Sequence, residues 1–365
     1  MPSAQCVVLE TFGEPVSTQT VQLDEPASGA MVVGVQYGGV CGTDVHLQAG
    51  RLPIPVPLVL GHEGVGWVET VGEGVERDAL GAPLSAGDRV TWASSIACGT
   101  CFYCRDAQEP TLCERRRIYG ITRSLREAPG LTGSWAERIY LEPGTTVVRL
   151  GDAQPSEAVI ALGCAGPTVV HGLLHVAPPR PGEAVAVQGA GPVGLAAAMF
   201  AHLAGAYPVI LIGAPAGRLN LAMRLGLGDE RLNIERLNPH QRLEQVRSLT
   251  DGRGADLVVE CAGVPAAVSE ALELVRPGGR VLVLGQYTDH GPTPLNPHLI
   301  TRKQIAALGS WAFSAAHYIE YLRAIPRVRG RFALEQLITD FPLERAQEAI
   351  DATRAGETGK AVLVP

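Results

Sequence analysis

The chain is predicted to be an α/β protein in two parts: a mainly β first part and a second part built on a doubly wound parallel sheet. Three observations carry this expectation. The 365 residues exceed what one hydrophobic core usually supports, so two domains are the natural division. The first forty or so residues read as short strands broken by glycine and proline. From Ala184 onward, apolar strand runs alternate with helical stretches, the pattern of a parallel sheet with crossover helices.

Composition narrows the class. Hydrophobic residues make up 46% and charged residues 18%, the balance of an ordinary globular protein. The net charge of −7 argues against nucleic acid as a partner, and the run Arg115-Arg116-Arg117 is too short to read as a basic tract. Met1 to Pro15 lacks a basic start followed by an apolar run, so no secretory signal is expected and the protein is placed in the cytoplasm. Val193 to Gly213 is apolar, but His202, Gly205 and Pro208 divide it into helix, turn and strand, so no membrane partner is expected.

In chain order, Cys6-Val7-Val8-Leu9 and Met31-Val32-Val33 are the clearest early strands. Next comes Cys41-Gly42-Thr43-Asp44-Val45-His46, in which a thiol is followed at two and five residues by a hydroxyl and an imidazole; a short turn would align them. Prolines at 53, 55 and 57 forbid a helix, so the chain runs extended through Leu58-Val59-Leu60 and delivers Gly61-His62-Glu63 at a strand end. The stretch from Val65 to Gly72 alternates as a further strand. Thiolate and imidazole are donors that zinc takes when one coordination position stays open. Taken alone, Cys41 and His62 read as buried core residues sooner than as ligands; the glycines flanking His62-Glu63, a second cysteine cluster and a dinucleotide fingerprint downstream turn the reading to a metal site.

Cys98, Cys101, Cys104 and Cys113 follow, with two, two and eight residues between them. Four thiolates at such spacing suit a structural zinc ion, and an iron–sulfur cluster could use the same four. The chain then returns to strand-like alternation from Trp135 to Arg149, and Val159 to Cys164 opens an apolar helical segment. Cys164 by itself reads as a core thiol.

Pro178 to Gly182 marks a turn-rich entry to the strand Ala184-Val185-Ala186-Val187. Gly189-Ala190-Gly191-Pro192-Val193-Gly194 and a helix to Ala204 complete a strand–glycine–helix order that lets backbone approach a pyrophosphate, the fingerprint of a Rossmann sheet. The next strand, Val209 to Ile212, ends at Gly213, where an acid would hold the adenosine ribose of NAD. Residues 214 to 216 offer no grip for a 2′-phosphate. Arg218 reads either as a group at the adenosine end or as a helix surface charge. Asp256 to Glu260 and Arg280 to Leu284 continue the strands, and a helix from Glu344 to Ala355 precedes the closing strand Ala361 to Val364.

Gly61-His62-Glu63, with Gly66 and Gly72 at their spacing, resembles the zinc-containing alcohol dehydrogenase signature of the medium-chain dehydrogenase/reductase family, and the likeness extends over almost the whole chain. The resemblance implies a GroES-like catalytic domain over 1–163 with both zinc sites, a Rossmann domain over 164–302, and a return segment, 303–365, that completes the first domain. It assigns Cys41, His62 and Cys164 to a catalytic zinc, with Asp44 behind the imidazole and Glu63 beside the metal. It decides for zinc at the four cysteines, although the family commonly has seven residues in the last gap, so the loop from Arg105 to Leu112 must bulge by one. It makes Thr43 and His46 a proton relay running through the cofactor ribose, and it puts Thr168 against the nicotinamide.

The expected function is therefore zinc-dependent hydride transfer between an alcohol or polyol and NAD or NADP, with a lean to NAD. The expected protein is a homo-oligomer, dimer or tetramer. Two alternatives are a zinc-free quinone or enoyl reductase of the same fold and a non-catalytic dinucleotide-binding protein.

Overall fold

The computed structural model describes residues 3–365, which divide into two compact units. The first holds the chain up to Cys164 together with Ser314–Pro326 and Leu337–Pro365; the second holds Ala165–Phe313 and Arg327–Gln336.

Two mainly antiparallel arrangements dominate the first unit, in which Lys360–Val364 and Ile338–Pro342 pair in parallel. Ser3–Leu9 pairs on one edge with Ser17–Gln22 and on the other with Leu58–Val59. A larger sheet runs in the order Val147–Arg149, Arg89–Trp92, Gly64–Val71, Met31–Gly39, Lys360–Val364, Ile338–Pro342, and Arg138–Leu141 adds to Met31–Gly39. The last strand of the chain thus enters the sheet through the pairs Val362 with Gly39 and Leu363 with Gly38. One buried cluster joins Val7, Leu9, Val40, Leu47, Leu58, Leu60, Trp135, Ile350 and Leu363. Removing such apolar surface from water stabilises a fold by roughly 25 cal/mol per Å². Here the cluster also anchors Val40 and Leu60, the residues just ahead of Cys41 and of Gly61-His62.

The second unit is a six-stranded parallel sheet in the order Glu230–Asn233, Val209–Gly213, Val185–Gln188, Ala255–Glu260, Val275–Val283, Ala306–Gly309. This is the doubly wound order of a dinucleotide-binding fold. Its central strands are buried throughout, as parallel strands covered on both faces must be.

Two differences from the sequence reading have physical causes. The segment after Cys41 is a seven-residue helix, Gly42–Gln48, and not a short turn, because the Asp44 carboxylate accepts from the Cys41 amide at 2.8 Å and closes a capping box. The parallel sheet also continues beyond residue 302: Ala306–Gly309 pairs with Val275–Val283, so the chain stays in the second unit to Phe313.

Candidate metal centres and cofactor site

Four donor side chains converge in the first unit. One ligand atom each from Cys41, His62, Glu63 and Cys164 lies within 4.8 Å of every other. The local chain explains each placement. Val40 donates its amide to Ala361 O at 3.0 Å, fixing the strand end from which Cys41 caps the helix Gly42–Gln48. Leu60 donates to Val7 O at 3.2 Å, and Gly61 then turns with φ of +99°, a left-handed value that favours glycine. A Cβ there would meet Trp135 Cδ1 at 2.4 Å. Glu63 is tied by its carbonyl, which accepts from Gly39 N at 3.0 Å and Ser134 Oγ at 2.6 Å. Cys164 follows the helix Ser156–Ala161.

His62 turns Nδ1 toward Asp44 Oδ1 at 3.3 Å and Nε2 toward Glu63 Oε1 at 3.7 Å. Neither approach is aligned as a hydrogen bond, and Asp44 Oδ1, His62 Nδ1 and Glu63 Oε1 are all buried without a hydrogen-bond partner. The Cys41 and Cys164 sulfurs lie 3.3 Å apart, and both residues are free cysteines. The contact with Cys164, opposed by burial and helped by His62, holds the Cys41 thiol well below its ordinary range, while the same contact and burial push Cys164 well above. Burial alone would make His62 less basic, but the Asp44 carboxylate and Cys41 more than reverse it, and the net direction is upward. A buried thiolate, imidazole and carboxylate set with orphaned polar atoms is what a divalent cation of zinc's preferences satisfies.

Thr43 lies in the same helix, and its hydroxyl is 3.7 Å from Cys41 Sγ. His46 sits in the last turn of that helix, partly buried.

Ligand atoms of Cys98, Cys101, Cys104 and Cys113 likewise lie within 4.8 Å of one another. Backbone amides point at the sulfurs: Cys101 N at Cys98 Sγ, 3.4 Å, and Cys98 N at Cys113 Sγ, 3.3 Å. Amide donors favour thiolate, and the Thr100 and Cys101 amides lower the Cys98 thiol to about 5. The long last gap is accommodated by a turn in which Gln108 takes a left-handed φ of 57° and Glu109 N returns to Tyr103 O at 2.7 Å.

In the second unit, Gly189 has φ of +108°, and a Cβ there would meet Cys261 backbone at 2.8 Å. Gly191 caps the helix Pro192–Leu203, with Pro192 at its first position and Val193 next. A Cβ on Gly194 would lie 1.8 Å from Gly189 O, so only glycine lets this helix approach the loop. A Cβ on Gly213 would meet Ala190 Cβ at 2.7 Å, so a side chain there, an acid included, would displace the glycine loop. Arg218, half-buried in the helix Ala216–Arg224, faces the loop, since a Cβ on Gly191 would sit 3.8 Å from its Nη1. Thr168 lies on the helix Ala165–Val169, also in this unit.

Sequence reasoning missed two groups. Glu260, with no exposed surface, accepts from the amides of Ala262, Gly263 and Gly285 and so ties two loop turns together; an acid ending an apolar strand was the available signal. Lys360 reaches Glu63 from the last strand, and nothing local in the sequence announces it. Among the described residues no helix is long and apolar enough to cross a membrane.

Comparison with known proteins agrees with both halves. The alcohol dehydrogenase GroES-like domain family matches residues 27–152, and the zinc-binding dehydrogenase family matches residues 192–327. A 5-exo-hydroxycamphor dehydrogenase of Pseudomonas putida is 36% identical over 95% of this chain and 95% of its own. The alcohol dehydrogenase structure from Thermotoga maritima superposes with a TM-score of 0.94 at 33% identity, covering 100% of both chains. A zinc-binding dehydrogenase from Sinorhizobium meliloti, bound to NADP, gives 0.87 at 26% identity, again over 100% of both. The chain therefore belongs to the zinc-type alcohol dehydrogenases of the medium-chain dehydrogenase/reductase family, oxidoreductases that act on a small molecule with zinc and a nicotinamide cofactor.

Proposed function

We propose that Cys41, His62 and Cys164 hold a catalytic zinc in this protein and that the four-cysteine group holds a second, structural one. The observation that carries the reading is the convergence of two partly buried thiols and a buried imidazole on one point, with Glu63 Oε1 alongside and unpartnered. When bound, zinc supplies Lewis acidity toward the substrate oxygen and nicotinamide accepts or returns the hydride.

The chain's own residues do the rest. Asp44 orients His62 from behind, so that Nε2 and not Nδ1 is left for the metal. Thr43 brings a hydroxyl to the edge of the donor cluster, where it can take up the substrate's proton, and His46 one turn along is the proposed exit to solvent. Gly189, Gly191, Pro192, Val193 and Gly194 present the helix N-terminus to the cofactor pyrophosphate. Gly213 offers no acid to repel a 2′-phosphate, and Arg218 is a cation beside the loop; we read this as acceptance of both cofactors with a modest lean to NAD. Thr168 is the proposed nicotinamide contact, the cytoplasm the proposed location, and a dimer or tetramer the proposed assembly. A zinc-free reductase would leave both thiol clusters without a purpose.

Relatives named for 5-exo-hydroxycamphor, geraniol, threonine and D-arabinitol define the test panel. Each alcohol is assayed with NAD and with NADP. Oxidation of a cyclic or terpenoid alcohol, abolished in Cys164→Ala, is expected; turnover that survives this substitution would contradict the ligand assignment.

A further inference from the structure

Glu63 stands between two claims on its carboxylate. Oε2 is 2.5 Å from Lys360 Nζ, and both side chains are only 3% exposed. Oε1 has no hydrogen-bond partner and faces the donor cluster, 3.7 Å from His62 Nε2. The slot that holds Oε2 exists because two neighbours lack side chains: a Cβ on Gly163 would lie 1.6 Å from this oxygen, and one on Gly39 would lie 2.5 Å away. The lysine comes from the first residue of the last strand, 297 positions along the chain, and is held there by pairing with Ile338. A buried lysine survives only when charge and hydrogen bonds compensate it. Both thiolates and Glu63 are balanced by a divalent cation and Lys360, and the buried Asp44 carboxylate behind His62 leaves the centre at a net −1. Without Lys360 it carries a second excess negative charge, and the shortest way for the carboxylate to recover compensation is to move toward the metal.

We propose that Lys360 is a positioning residue that, with the slot formed by Gly39 and Gly163, keeps Glu63 off the catalytic metal and so keeps one coordination position open for substrate. This rests on the assignment of Cys41, His62 and Cys164 as metal ligands. A carboxylate released from the lysine is a better ligand than water and would close the position.

The test uses full-length protein with cobalt(II) in place of zinc and imidazole as an added ligand, followed by the visible cobalt bands. The parent is expected to bind imidazole with a clear band shift. Lys360→Met should bind it at least tenfold more weakly and release cobalt to a chelator more slowly, because Glu63 occupies the position. The double variant Lys360→Met with Glu63→Gln should restore imidazole binding, and Lys360→Arg should resemble the parent. Gly163→Ala reads the same position with the lysine in place: filling the slot should push the carboxylate onto the metal and weaken imidazole binding likewise. If Lys360→Met and Gly163→Ala both bind imidazole as the parent does, or if Glu63→Gln does not rescue, the proposal is overturned. Absence in the parent of any cobalt–thiolate band that disappears in Cys164→Ala would instead overturn the underlying ligand assignment.

Discussion

Asp44→Asn is the substitution whose effect the structure defines most closely. Asp44 is fully buried, and its two oxygens have separate tasks: Oδ2 accepts from the Cys41 amide at 2.8 Å and Oδ1 faces His62 Nδ1 at 3.3 Å. Asparagine has the same shape but only one acceptor. If its oxygen stays on the Cys41 amide, its NH₂ faces His62 Nδ1 and favours the tautomer with the proton on Nε2, the nitrogen turned toward the donor cluster. If it flips, two donors meet at the Cys41 amide and the capping bond of the helix Gly42–Gln48 is lost. Either way one buried donor goes unsatisfied, at a cost of about 1–3 kcal/mol. This corresponds to the roughly 10- to 100-fold in metal affinity typical of carboxylates behind a ligating histidine. Competition against a chromophoric chelator measures it. Zinc affinity at this centre equal to that of the parent would refute the reasoning.

Four further outcomes are expected. Cys104→Ser should loosen the segment from Cys98 to Arg117, whose large apolar residues Phe102 and Leu112 are exposed and offer no core of their own; trypsin should then cut at Arg105 and Arg115 to Arg117 faster than in the parent, and equal cutting rates would contradict a structural role. His46→Ala should slow alcohol oxidation near neutral pH by roughly tenfold or more, with partial rescue at high pH, and an unchanged pH–rate profile would remove it from the proton path. Arg218→Ala should raise KM for NADP roughly 10- to 100-fold, the worth of a charge-assisted hydrogen bond, and KM for NAD by less; equal changes would mean that the arginine does not read the phosphate. His202 is buried and accepts from Gly228 N at 3.3 Å as a neutral ring, and burial lowers its pKa below 6.5. Its unfolded state therefore binds the proton first: stability is full above about pH 6.5 and declines as pH falls toward the folded value, by at most ~1.4 kcal/mol per pH unit. Denaturant titrations should show this decline flattened in His202→Gln.

Local chemistry made much of the site legible. The four cysteines and the glycine loop announce themselves because ligand type, spacing and flanking strand or helix all lie within one short stretch. Cys41 and His62 needed the resemblance, since a buried thiol and a buried imidazole look the same in sequence whether or not a metal is near. Cys164 was wholly dependent on it. Lys360 was invisible because its meaning depends on the register of the last strand against Ile338 and Gly39, a long-range pairing with no local signature. The strand Ala306–Gly309 was missed for a different reason: Ile305-Ala306-Ala307-Leu308 is a short apolar run without alternation, which reads as helix as easily as strand, and it belongs to the sheet only through pairing with Val275–Val283. Likewise the helix at Gly42 begins on a residue that disfavours helix, and the capping box that stabilises it is formed by a cysteine in place of the usual hydroxyl.

The central claim is that this chain binds two zinc ions at two separate thiol clusters and uses only one of them in catalysis. Elemental analysis of purified parent, Cys164→Ala and Cys104→Ser tests it directly. The account predicts two zinc ions per chain in the parent, and one in Cys164→Ala with the fold intact and alcohol-dependent reduction of NAD or NADP gone. Two zinc ions retained in Cys164→Ala, or no zinc in active parent, would contradict it.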